Sequence, residues 1–170
     1  MNLLLLVMRL LHILLGVFWA GTMIFTAVFL FPAVRDAGPD GAGVVAGLAR
    51  RRFMAVMPIV AGLTILSGLW LFWRVSGGFQ PGFMRSGTGM TFSLGGATAI
   101  AAFVIGVSVV RPAMQRAGVL AESAARAPGA ERDAQLAEAQ RLRVRAGAAG
   151  QVVAVLVVLA VAAMALARYV

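Results

Sequence analysis

The chain is 170 residues long, 61% hydrophobic and 12% charged, with a mean hydropathy of +0.93 and a formal net charge of +9 carried by arginine alone. That balance excludes a soluble globular surface, and the absence of cysteine excludes disulfides, thiolate metal sites and thiol chemistry. The length is that of one domain, and because the arginines flank apolar stretches, anionic lipid headgroups rather than nucleic acid are the expected partner of the positive charge.

The first predicted element is the apolar stretch Leu10–Phe31. A hydrocarbon core of ~30 Å needs ~20 apolar residues at 1.5 Å rise each, so this stretch predicts a membrane span. Met1–Leu15 has the look of a signal peptide, but the apolar run continues to Phe31 without a convincing processing site, which predicts a mature span. Connector one, Pro32–Arg52, contains the turn signal Gly38-Pro39-Asp40-Gly41, with Asp40 expected to cap a short helix leading into the second span. That span is Phe53–Trp73, and Trp70 and Trp73 near its end read as interfacial anchors.

Connector two, Arg74–Met90, interleaves glycines with Phe79, Pro81 and Phe83 and predicts an irregular loop whose aromatics dip towards lipid. The third span is Thr91–Val110. Connector three, Arg111–Ala146, reads as a helical hairpin: Met114–Ala127 and Ala130–Ala146 are rich in Ala, Arg, Glu and Gln, broken at Pro128-Gly129, with Pro112 a kink rather than a stop. Glu138 and Arg141 are spaced for a weak surface ion pair. The fourth span is Gly147–Ala167. None of the four spans contains Asp, Glu, Lys or Arg, and no internal repeat is evident.

These elements predict an all-α polytopic membrane protein: a single transmembrane domain, 1–170, with four helices in a bundle and spans three and four extended into a hairpin. Connectors one and three hold eleven arginines, against four (Arg9, Arg74, Arg85 and Arg168) on the other side. The positive-inside rule then puts both connectors in the cytoplasm and both termini outside a bacterial-type inner membrane. Arg50, Arg51, Arg52, Arg141, Arg143 and Arg145 are the expected headgroup contacts. Small residues at Gly16/Ala20, Ala102/Gly106 and Gly150/Ala154, with Gly62 and Gly68 in span two, predict the packing seams, and Thr64 and Ser67 can bond their own helix or a neighbour.

One constellation carries chemistry. His12, the sole histidine, is the one ionisable side chain in any span, and His12, Gly16, Trp19, Met23 and Thr26 share a helix face that Met8 extends by a turn. An imidazole and a thioether four residues apart can ligate Cu(I) or haem iron. A lone histidine does not close a site, so the second ligand would be Met90, Met164 or a second copy of the chain. The simpler reading is an imidazole bonded to a hydroxyl or carbonyl of another helix. His12, with Met8 and Trp19, is thus the candidate cofactor site, with haem as the cofactor; no catalytic or metal-site residue is assigned.

Leu11-His12, then Trp19-Ala20-Gly21 with Phe25 beyond, resembles the opening helix of the bacterial haem-binding protoporphyrinogen oxidases and, more distantly, of the copper-resistance D-type membrane proteins. Arg50-Arg51-Arg52 followed by Pro58, Thr64, Gly68 and Trp70 is similar to the second helix of that group. The resemblance covers residues ~9–73 and implies a four-helix architecture, a porphyrin- or quinone-sized groove, and haem ligation at His12. The oxidases also have a Pro-Arg pair soon after the tryptophan and a lysine in the third helix. Here Pro32 is followed by Ala33 and the chain has no lysine.

With no intramembrane acid for proton relay, no ligand pair and no broken half-helices, the expected function is a non-catalytic integral subunit. It would pack in or stabilise a larger respiratory, photosynthetic or similar membrane complex, with other membrane subunits as partners. The alternatives are a haem-linked oxidoreductase using His12 and a small copper-handling protein.

Overall fold

A computed structural model describes residues 2–38 and 41–170, the side chain of Ala42 excepted. Asp40, the expected cap of the short connector helix, lies outside the described residues. Four continuous helices dominate: Leu3–Asp36, Phe53–Val75, Gly87–Ala124 and Gly129–Tyr169, each long and apolar enough to cross a membrane. There is no strand among the described residues. By length and composition the chain is an all-α membrane protein.

The helices outrun the apolar stretches that mark them. Helix α1 (Leu3–Phe25) starts well before Leu10 because Asn2 caps it, its side-chain oxygen accepting from the Leu4 N–H at 3.1 Å, so Arg9 lies inside the helix. Three of the long helices carry a proline without ending at it: Pro58 lies inside Phe53–Val75, and the other two prolines share a local geometry. Pro32 stands at the start of α2 (Phe31–Asp36) and Pro112 at the start of α7 (Arg111–Ala124). A proline inside a helix lacks a donor and crowds the carbonyl four residues before it. Immediately before each proline unit the chain widens into a π-turn, Thr26–Leu30 and Gly106–Val110, closed by Phe31 N–H donating to the Thr26 carbonyl and Arg111 N–H to that of Gly106. The same device thus occurs twice. It leaves no repeated residue pattern because it is a backbone geometry, and Pro58, inside Phe53–Val75 without a π-turn, shows that proline alone does not mark it.

Each π-turn takes up one extra residue and rotates the helix beyond it. In the third long helix, α6 (Gly87–Ile105) continuing through the π-turn into α7, buried Gly95 and Ala102 are seven apart, as are buried Ala117 and Ala124. The step from Ala102 to Ala117 is one longer than two sevens, and the surplus residue is absorbed in the turn. Along α8 (Gly129–Leu166) and the short turn after it, Ala139, Ala146, Val153, Ala160 and Ala167 recur every seven residues and are all buried. A strict seven-residue repeat of small residues makes a close, left-handed helix contact. Gly95 packs directly on α8, where an added Cβ would stand 3.3 Å from the Ala160 carbonyl oxygen and 3.1 Å from Ala163 Cβ, and α6, the π-turn and α7 all pack along α8. The π-turn keeps both halves of the third helix in phase with α8.

Helix α1 packs along α4 (Phe53–Val75), α6 and α7 along α8, and α1 with α8 and α4 with α6 join the pairs. Trp19, Ala20, Val60, Ala61, Ala102, Val153 and Val157 form the buried cluster to which all four long helices contribute. The seams fall only partly where small-residue spacing puts them. A Cβ added at Gly62, Gly106 or Gly150 would meet nothing within 4 Å, whereas one at Gly95 would lie 3.1 Å from Ala163 Cβ. Helix α3 (Gly41–Arg50) packs against α2 and α4, and Arg52, left-handed at φ 56°, turns the chain sharply into α4.

Connector two is partly ordered rather than irregular throughout. Its short helix α5 (Pro81–Met84) folds back so that Phe72 of α4 stands 5.7 Å from Phe79, 6.3 Å from Phe83 and 6.1 Å from Phe92. The aromatics bury their edges against one another. Gly77, Gly78 and Phe79 are successive left-handed residues, and the buried Ser76 hydroxyl holds the strained Phe79 by accepting its N–H at 2.8 Å.

Candidate functional site

The site begins with the register of α1 on α4. A Cβ at Gly16 would touch Thr64 Cγ2 at 3.5 Å, and one at Gly68 would meet the His12 ring, so each turn up α1 is matched by a turn back along α4. His12 therefore lands on the one residue of that α4 turn without a side chain. The added Cβ would lie 2.7 Å from Cε1, 3.1 Å from Nδ1 and 3.6 Å from Nε2, so the imidazole lies across the Gly68 backbone. Glycine is required there because any side chain would occupy the ring's place.

The ring is also oriented. Nδ1 is 2.9 Å from the Thr64 carbonyl oxygen and 3.5 Å from Ser67 Oγ. A carbonyl oxygen only accepts, so Nδ1 carries the proton, and in the neutral ring Nε2 holds the free lone pair. Ser67 Oγ donates within its own helix, to Leu63 O at 2.7 Å or Thr64 O at 3.0 Å, and Thr64 Oγ1 donates to Val60 O at 2.8 Å. The hydroxyls of Thr26, Thr91, Ser93, Thr98 and Ser108 likewise bond carbonyls of their own helix. Apart from Thr88 bonding Val170 at the helix ends, His12 makes the side-chain bond that ties one long helix to another among the described residues. Nε2 has no hydrogen-bond partner among them.

An imidazole anchored through Nδ1–H with Nε2 bare is the arrangement that second-shell bonding imposes on a ligating histidine. It offers one coordination position. Met8, partly buried, lies one turn before it. The other proposed ligands are elsewhere: Met90 is 57% exposed, and the Met164 methyl would stand 3.4 Å from a Cβ at Gly95, in the α6–α8 seam. No group of three or more His, Cys, Asp or Glu side chains with metal-site geometry occurs among the described residues.

Trp19 is not beside His12. It is buried seven residues further along α1 and, with Met23 and Thr26, lines a separate apolar cleft of about 80 Å³ between the four helices, at the end where connectors one and three emerge. The face predicted as one stripe is thus two places, a clamp at His12 and a cleft from Trp19 onwards. Arg111, not singled out by sequence, lines that cleft too, and its Nε is buried without a partner. Only its place as the first charge after a span hinted at this. Arg50, Arg51, Arg52, Arg141 and Arg145 are exposed and Arg143 partly so; Arg141 stands 3.9 Å from Glu138 in a solvent-exposed pair that contributes little.

No protein-family model, curated protein or solved structure matches this chain.

Proposed function

We propose that the chain is a non-catalytic integral subunit that packs in or stabilises a larger membrane complex. In this reading it is a four-helix bundle in a bacterial-type inner membrane, with the arginine-rich connectors and the α7–α8 hairpin cytoplasmic. The observation that carries it is how the spans use polarity. Their one titratable side chain is spent on a bond between helices, and their hydroxyls, Thr22 apart, are spent on their own backbones. No chain of polar groups crosses the spans to move a proton or ion, and a rigid block with an exposed hairpin suits a scaffold. The partner is another membrane subunit. The protein is expected to co-purify with it at fixed stoichiometry, unchanged in His12→Ala; a wild type that runs alone in mild detergent contradicts this.

The orientation has a direct test, since an introduced cysteine would be the only one. An impermeant maleimide is expected to label Gln80→Cys in intact cells and Ser123→Cys only after permeabilisation. Both positions are exposed. The reverse pattern would overturn the positive-inside assignment.

A second reading has its own support: the bare Nε2 of His12 fits a single axial bond to haem, in keeping with the resemblance over residues ~9–73. It requires a second axial ligand from another subunit or copy, or an open coordination position.

A further inference from the structure

We propose that the cleft lined by Trp19 is a binding site for an anionic phospholipid, a segment of one acyl chain in the cleft and its phosphate on Arg111. The cleft is apolar and, at about 80 Å³, has room for a short segment of one acyl chain. Trp19, Ala61, Ala102 and Val153, all buried, line it together with Phe31, Phe53 and Arg111. From Trp19 to Phe31 its lining spans about 18 Å of the first helix at 1.5 Å per residue. Its walls are open by construction. Gly106 and Gly150 both line it, and a Cβ at either would meet nothing within 4 Å.

Both π-turns border this cleft, contributing Thr26 and Ala27 from one and Gly106, Val107 and Val110 from the other. The turn at Gly106–Val110 ends directly at Arg111, so the device that rephases the helix also sets which way this arginine faces. Its Nε–H is buried and unbonded. The ion pairs among the described residues are Arg35–Asp36 and Arg141–Glu138, so no carboxylate there neutralises Arg111. All six acidic residues of the chain lie in connectors one and three, and among the described residues none lines the cleft. A buried Nε–H with no acceptor, on an arginine lining an apolar cleft, is complementary to a phosphodiester carrying an acyl tail. A zwitterionic lipid brings the same tail but sets its own cation beside Arg111, and a neutral isoprenoid brings no anion.

The site needs only that the helices span a bilayer, and it stands or falls independently of the subunit and haem readings. The test uses the full chain reconstituted in nanodiscs of phosphatidylcholine containing a minority of phosphatidylglycerol, then extracted into mild detergent and assayed for retained lipid. Wild type is expected to retain phosphatidylglycerol over phosphatidylcholine by about fivefold or more, the size of one arginine–lipid contact. Arg111→Gln is expected to abolish the preference. Gly106→Leu, which fills the cleft and keeps the charge, is expected to lower retention of both lipids. Arg116→Gln, at an exposed position on the same helix, is expected to change little. Equal retention of the two lipids by wild type overturns the proposal, as does a preference that survives Arg111→Gln or a retention that Gly106→Leu leaves unchanged. A loss in Arg116→Gln as large as in Arg111→Gln also overturns it, since the preference would then belong to the arginine surface as a whole.

Discussion

Replacing Gly68 with alanine is expected to destabilise the protein by about 1–3 kcal/mol, the usual cost of forcing extra volume into a packed contact. The new Cβ would stand 2.7 Å from His12 Cε1, well inside contact distance, and the imidazole is the group that must move. Moving it lengthens or breaks the 2.9 Å bond from Nδ1 to the Thr64 carbonyl. The cost therefore belongs to the pair. In a His12→Ala background the same Gly68→Ala change meets no ring and is expected to cost within about 0.5 kcal/mol of nothing, so the double-mutant cycle should show strong coupling. Unfolding in detergent, followed by tryptophan fluorescence, measures all four variants. Equal cost of Gly68→Ala in both backgrounds would show that His12 does not lie across Gly68.

Ala146→Leu is expected to cost at least as much, about 1–3 kcal/mol or more, because it forces extra volume into a buried stripe built for close approach. Ala146 is 1% exposed, in the part of α8 that packs along the third long helix. Ala148→Leu, two residues on and exposed, adds the same atoms without a clash and is expected to fall within about 0.5 kcal/mol of wild type. The comparison separates tight packing of α7 on α8 from a general dislike of bulk in the helix. If both variants unfold at the same temperature, the seven-residue stripe is not a contact seam.

The four spans were legible because membrane crossing is written in composition: some twenty apolar residues without a charge leave few alternatives. His12 was legible for the same reason, as the single ionisable group in those stretches, and the carbonyl partner it takes was one of the two weighed. What could not be read was anything set by the register between helices. Gly68 carries no local sign that it is the floor under His12, since that depends on α1 meeting α4 at one particular offset. Gly106 and Gly150 look like seam residues by spacing but line open space, because the seam against α8 is built from alanines at sevens and from Gly95. Arg111 reads as one more flanking cation until the π-turn before it is known. The aromatics of connector two satisfy one another around Phe72, a pairing that needs the left-handed turn at Gly77, Gly78 and Phe79.

His12 divides the two functions most sharply, because the same bond that makes it a helix clamp leaves its Nε2 available to a metal centre. Purification from native membranes in mild detergent, with an absorption spectrum and partner stoichiometry for wild type and His12→Ala, decides between them. A non-catalytic subunit is expected to show no Soret band and to keep its partner at the same stoichiometry in both proteins. A Soret band in wild type that disappears in His12→Ala would contradict that reading and make His12 a haem ligand.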